Sequence, residues 1–265
     1  MKKLVLFLIL LLMPQVVLAG VISLTTTISS DVMTKDETKI HVSILNSGNE
    51  PANNVQITPL VPSSFSTEPV SFEKLSINEP KETDFKVKLT EETIPGNYPV
   101  VILTDYADIN GYPFSSVSPS SIVYKTRTIS KVSGVISEVS LTDKNSKKLV
   151  LTLRNLDDTS HNIKIKMFIP RELKISEDEK EMTIGPKEEK ELDFEISSLS
   201  ALVGSSYLVL ASIDYEDGIL HYSTFARGIV KIELGKSFEF PFWLPVISFI
   251  VLLIIFFYYF KRGKK

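Results

Sequence analysis

The segment Tyr-Pro-Val-Val-Ile-Leu-Thr-Asp-Tyr, residues Tyr98–Tyr106, returns 109 positions later as Tyr-Leu-Val-Leu-Ala-Ser-Ile-Asp-Tyr, residues Tyr207–Tyr215. Each is an apolar run that closes on Asp-Tyr and meets turn-forming residues, Asp108-Ile-Asn110-Gly111 in one copy and Glu216-Asp217-Gly218 in the other. A second strand-like run follows each turn, the signature of a β-hairpin. The flanks repeat as well. Ile40, Val42 and Ile44 correspond to Leu149, Leu151 and Leu153, and Asn46 corresponds to Asn155. Val55, Ile57 and Val61-Pro62 correspond to Ile163, Ile165 and Ile169-Pro170, and Asp84-Phe85-Lys86-Val87 to Asp193-Phe194-Glu195-Ile196. Matched positions stay apolar while the residues between them change charge, which marks the inward parity of paired strands.

Short alternating strands, frequent turns and almost no helical period predict an all-β chain of two tandem immunoglobulin-like β-sandwich domains. Their cores must hold without disulfides, because the chain has no cysteine. About 100 residues per domain suffices for that. The expected division is a signal peptide over 1–19, a first sandwich over 20–125, a second over 126–236, a transmembrane helix over 240–260 and a cytoplasmic basic tail over 261–265. Within it, a strand is expected from Val21, and the polar stretch Lys125–Lys131 reads as the linker.

The turn Asn46-Ser-Gly-Asn-Glu-Pro-Ala-Asn-Asn-Val55 resembles the Asn-x-Gly turn of CARDB-like and related surface domains. Ile77-Asn-Glu-Pro80 and Ile184-Gly-Pro186 resemble the Pro-Gly-Glu turn ahead of a strand in the same domains. Asp105-Tyr106 and Asp214-Tyr215 depart from the Tyr-Thr-Asp hairpin of that family, of which Thr104-Asp105 keeps a part. The resemblance runs over roughly Thr25–Leu234 and implies an immunoglobulin-like module on a prokaryotic cell surface, with no catalytic residue carried over.

Both ends of the chain address it to a membrane. Lys2-Lys3, the apolar run Leu4–Met13, Pro14 and the small residue Ala19 form a secretory signal peptide, with an uncleaved anchor as the alternative. Val21 stands where a lipobox would need cysteine, which excludes a lipid anchor by that route. Phe242–Phe260 spans 19 uncharged residues, about 28 Å as a helix, the depth of a hydrocarbon core. Aromatic residues flank it, and Lys261-Arg262-Gly-Lys-Lys265 stops transfer and sets the C-terminus inside.

Six of the 29 basic residues lie at the ends, leaving 23 in the body against 32 acidic residues, about nine negative charges in excess. That body repels phosphate, which excludes nucleic acid as a partner. Its chemistry is sparse. His41, His161 and His221 occupy unrelated positions of the repeat and read as solvated surface residues rather than zinc ligands. Asp105, Asp108 and Asn110, with Asp214, Glu216 and Asp217, either build hairpin turns or supply calcium oxygens; turns demand the same residue types. On the turn reading, Asp105 and Asp214 cap the hairpins and Tyr106 and Tyr215 pack at the sandwich end. No phosphate loop, nucleophile elbow or zincin motif is present, nor any Asn-x-Ser/Thr sequon. No catalytic, cofactor-binding or metal-ligating residue is therefore assigned, and no cofactor.

The sequence predicts a non-enzymatic, single-pass protein of the cell (plasma) membrane, with its N-terminal ectodomain outside. Two roles compete. One is a structural, adhesive or protein- or glycan-binding surface protein. The other is an accessory subunit of a membrane complex for transport or secretion. The span has no small-xxx-small motif for helix pairing, which favours the first.

Overall fold

The computed structural model describes residues 20–142 and 145–235, and singly Trp243, Ile247 and Phe249. The expected signal peptide and basic tail lie outside these residues, as does the expected transmembrane helix apart from those three positions. Among the described residues no helix is long and apolar enough to cross a membrane.

All the described regular structure of the body is strand. The first half holds β1 (Leu24–Ser30), β2 (Glu37–Asn46), β3 (Ala52–Leu60), β4 (Phe65–Ser66), β5 (Val70–Leu75), β6 (Lys81–Leu89), β7 (Gly96–Ala107) and β8 (Pro113–Tyr124). The second holds β9 (Val132–Ile136), β10 (Val139–Thr142), β11 (Lys147–Asn155), β12 (His161–Phe168), β13 (Leu173–Ile175), β14 (Glu179–Ile184), β15 (Glu189–Ser198), β16 (Ser206–Asp217) and β17 (Leu220–Glu233).

The repeat in sequence is a repeat in topology. One sheet runs β1-β2-β6-β4 and its counterpart runs β9-β11-β15-β13. The facing layers run β8-β7-β3-β5 and β17-β16-β12-β14. Position for position the connectivity is the same, and the parallel contact of β10 with β17 in the second copy is reduced to the single bridge Met33–Tyr124 in the first. Each copy closes over its own core. Ile40, Val42, Ile44, Val55, Ile57, Phe85, Val87, Val100 and Ile102 share one buried cluster. Leu149, Leu151, Leu153, Ile163, Ile165, Phe194, Ile196, Val209 and Ala211 share the other. Burying Phe85 or Phe194 alone contributes about 1.5–3 kcal/mol, so these matched columns supply much of each core.

Two local expectations change. The first strand starts at Leu24 rather than Val21, because Val21 is held by another segment. Its N–H donates to Asn49 Oδ1 at 2.7 Å and its carbonyl accepts from Asn49 N at 2.9 Å, tying it to the Asn46–Glu50 turn. The linker Lys125–Lys131 forms no strand, yet it is not loose. Thr128 is buried, donates through Oγ1 to the His221 carbonyl at 2.7 Å and accepts from Asn97 N at 3.1 Å.

The two sandwiches lie side by side. β7 and β17 meet in parallel at His221 and Gly96, which joins the facing layers into one nine-stranded sheet. Gly96 has φ of 154°, and a Cβ there would stand 2.1 Å from the His221 carbonyl oxygen, so this crossing requires glycine.

Candidate functional site in the joint between the sandwiches

Along β7, alternate residues Tyr98, Val100 and Ile102 enter the first core, which leaves Pro99, Val101, Leu103 and Asp105 facing outward. Along β16, Tyr207, Val209, Ala211 and Ile213 face inward and Leu208, Leu210, Ser212 and Asp214 outward. These outward faces meet. Leu60, Val101 and Val117 of the first copy form one apolar cluster with Phe168, Leu210 and Phe225 of the second. The strand registers make these six three equivalent pairs: Leu60 opposes Val101 as Phe168 opposes Leu210, and Val117 opposes Leu103 as Phe225 opposes Ser212. The joint is thus built like an isologous dimer interface, with the same patch contributed twice.

Its two ends differ. At one end Glu172 is buried, 2% exposed, and accepts two hydrogen bonds from the other copy, from Ser115 N at 2.7 Å and Ser115 Oγ at 2.7 Å. Ser115 Oγ in turn accepts from Arg171 N at 2.7 Å. Arg171 Nη2 stands 2.8 Å from Asp105 Oδ2, off the line of a hydrogen bond. Burial pushes the Asp105 carboxyl up, Arg171 pulls it down and Glu172 raises it again. Tyr112 donates its hydroxyl to Ser200 O at 2.6 Å and completes this lock.

At the opposite end the residues equivalent to Arg171 and Glu172 are Ser63 and Ser64, too short to reach across. A cleft of about 1070 Å³ opens there, between Pro59–Ser64 of the first copy and Ser212, Asp214, Glu216 and His221 of the second. The His221 ring stacks on Tyr98 with centroids 4.1 Å apart and an interplanar angle of 2°. Tyr98, whose hydroxyl burial pushes up, donates to Ile94 O at 2.6 Å. Asp214 accepts from Ser212 Oγ at 2.8 Å, and its Oδ1 lies 3.4 Å from His221 Nε2 without hydrogen-bond alignment. Lys164 and Lys166 line the rim and are held by Glu179 at 3.4 Å and 2.5 Å.

Asp105 and Asp214 therefore do not cap their hairpins, contrary to the sequence expectation. They stand mid-strand, opposite Ser115 and Ser223, and face the joint. The turn is capped by Asp108, whose Oδ1 accepts from Asn110 N at 2.9 Å and Tyr112 N at 2.8 Å. Tyr106 and Tyr215 do pack into the sandwiches, and burial raises the Tyr106 hydroxyl to about 12.

The surface reading of the histidines holds for His41 alone, which pairs with Asp84. His161 is 4% exposed, lies against Tyr215 with centroids 4.5 Å apart and reaches Asp157 Oδ2 at 3.2 Å. His221 belongs to the joint. Ser212, Asp214 and His221 are the residue types of a hydrolytic triad in the wrong order. The carboxylate stands between serine and imidazole, so the serine proton meets Asp214 and not a histidine base. Sequence reasoning did not find Ser115, Arg171 or Glu172. The available signal was divergence between copies, since Arg171-Glu172 replaces Ser63-Ser64 in an otherwise matched turn.

Residues 34–104 match the family described as the NPCBM-associated, NEW3 domain of alpha-galactosidase, a stretch that runs from ahead of β2 into β7. The first sandwich is accordingly similar to an immunoglobulin-like domain family. No curated protein matches the chain. Among solved structures, the chain is similar to a protein of unknown function from Porphyromonas gingivalis, at 13% identity and TM-score 0.34 over 78% of this chain and 99% of that one. It is similar to Salmonella alpha-2-macroglobulin reacted with methylamine, at 11% identity and TM-score 0.34, over 80% of this chain and 16% of that one. The Escherichia coli chaperone DraB is a third, at 9% identity and TM-score 0.31, over 40% of this chain and 56% of that one.

Proposed function

We propose that this chain is a non-enzymatic, single-pass cell-surface protein whose two immunoglobulin-like sandwiches act as one ectodomain with a structural, adhesive or protein- or glycan-binding role. In the finer reading it is a CARDB-like prokaryotic surface module, exported by residues 1–19 and anchored by 240–260, with its C-terminus cytoplasmic. The observation that carries the binding role is the asymmetric joint. Equivalent residues form the apolar centre, one end is closed by Glu172 and Arg171, and the other is left as the cleft at Asp214 and His221. A concave site with an apolar floor and a few convergent polar groups is where a ligand binds. The order of Ser212, Asp214 and His221 speaks against hydrolysis there.

Photo-crosslinking from the cleft rim tests this. An unnatural photoreactive residue at Ser63 or Lys174 in intact cells should yield an adduct with an extracellular protein or glycan, while one at the exposed Val135, outside the cleft, should not. Absence of adducts at both rim positions, or turnover of glycoside or ester substrates by the purified chain, would overturn the reading. Protease added to intact cells should remove residues 20–235 and spare a C-terminal tag. A detergent-stable adduct with an integral membrane protein would favour the accessory-subunit role instead.

A further inference from the structure

We infer that the end of the molecule opposite the cleft is a lipid-contacting surface, on which an apolar rim formed by both sandwiches rests in the headgroup–acyl boundary of a bilayer. The inference rests on the anchored reading above and adds an orientation and a contact to it.

The strand directions fix the geometry. β17 runs from Leu220 beside the cleft to Glu233, and the chain leaves the body at Leu234. β7 starts at Gly96, opposite His221, and runs parallel to β17. Its far end, the Asp108–Tyr112 turn, therefore reaches the level where β17 ends. The loop ahead of β16 reaches it too, because Ser206 pairs with Lys231 and Gly204 N donates to Ile232 O at 2.7 Å. Tyr112 and Ser200 touch across the two copies at this same end. Gly20 and Val21 share a cleft of about 660 Å³ with Leu202, Gly204 and Asp108, so the start of the body lies here as well.

Both apolar segments of the sequence, residues 4–13 and 242–260, thus join the body at one end. From Leu234 to Phe242 is eight residues, at most about 29 Å of extended chain, so the body stays close to the span's entry point.

That end is apolar where it should be wet. Val21, Ile109, Leu199, Leu202, Val203 and Leu234 are 55%, 71%, 68%, 41%, 44% and 74% exposed. Twelve large aliphatic residues of the described body are at least 40% exposed, and half of them gather here, although the sandwiches have two ends and four faces. An exposed apolar patch marks a contact surface. Since the body is acidic, attraction to anionic lipid cannot hold it down; the contact is apolar burial and independent of lipid charge.

The test uses the full chain in phosphatidylcholine vesicles whose acyl chains are brominated. The chain has one tryptophan, Trp243. In a Trp243→Phe background, tryptophan placed as Leu202→Trp should lose emission by roughly twofold or more against unbrominated vesicles, as a ring at the interface does. Tryptophan placed as Ile219→Trp, 78% exposed at the opposite tip, should be unaffected. Wild-type Trp243 reports the anchor separately. Quenching of Trp243 without quenching of Leu202→Trp beyond the Ile219→Trp level overturns the lipid-facing rim and leaves the anchor standing. Loss of quenching at Trp243 as well, with the chain failing to float with vesicles, overturns both.

Discussion

Asn46 and Asn155 hold one position of the repeat, and both are buried, 0% and 1% exposed. Each folds its amide back over the turn that follows. Asn46 Oδ1 accepts from Gly48 N at 3.0 Å and Nδ2 donates to Glu50 O at 2.7 Å. Asn155 Oδ1 accepts from Asp157 N at 2.9 Å and Nδ2 donates to the carbonyls of Thr159 and Gly185, each at 2.8 Å. Asn155→Ala should destabilise the second sandwich by about 2–4 kcal/mol in denaturant unfolding, because three backbone groups lose their partner. Asp157, beside it, is held at about 2 by Lys131, by the Asp158 N–H and by His161. Its folded value lies below its unfolded one, so its contribution is present above about pH 4 and is lost as pH falls through about 2. Asp157→Asn should flatten that acid limb, and an unchanged slope of stability against pH would refute the linkage. The match of the two asparagines and the turn after Asn46 were legible in the sequence; their burial was not, because the carbonyls they bond include Gly185, 30 positions from Asn155. Buried His161 was not, because its partner Tyr215 lies 54 positions away and its first-copy counterpart is not a histidine.

The strands were legible because parity is a property of the element and not of its partners. Val42 and Leu151 are 2% and 1% exposed on equivalent strands, β2 and β11, while Ser43 and Thr152 are half-buried on the opposite parity. Leu151→Ala should cost about 2–4 kcal/mol and Val42→Ala somewhat less. Thr152→Ala and Ser43→Ala should stay within about 0.5 kcal/mol, measured by chemical denaturation. Equal losses on both parities would contradict the register. Parity also explains the misreading of Asp105 and Asp214. A residue that ends an apolar run just before a turn looks like a cap, yet two further residues in β7 and three in β16 follow them. They remain on the outward face, and what covers that face is the other sandwich, which no pattern within one strand reveals.

At the scale of the whole molecule, the joint decides whether the two sandwiches behave as one body. Its apolar centre uses equivalent residues, and its buried carboxylate at Glu172 stands at the end away from the Pro95–His221 and Asn97–Thr128 hydrogen bonds, so that lock can be removed without disturbing either core. Glu172 accepts two bonds from Ser115 in a site that excludes water. Bonds to a charged group contribute about 1.5–3 kcal/mol each, and truncation also strands the Ser115 N–H. Glu172→Ala should therefore split a single calorimetric transition into two, one per sandwich, and lengthen the maximum dimension in solution scattering. Glu172→Gln keeps the length and one acceptor oxygen and should do less of both. Ser63 and Ser64 occupy the equivalent turn without bridging the joint, so Ser64→Ala should leave coupling and scattering unchanged. If Glu172→Ala also kept one transition and the native scattering profile, the apolar contacts of Val101, Val117 and Leu210 together with the hydrogen bonds at His221 and Thr128 would suffice for rigidity. The open cleft at Asp214 would then lie between bodies held by apolar packing and by the Pro95–His221 and Asn97–Thr128 hydrogen bonds.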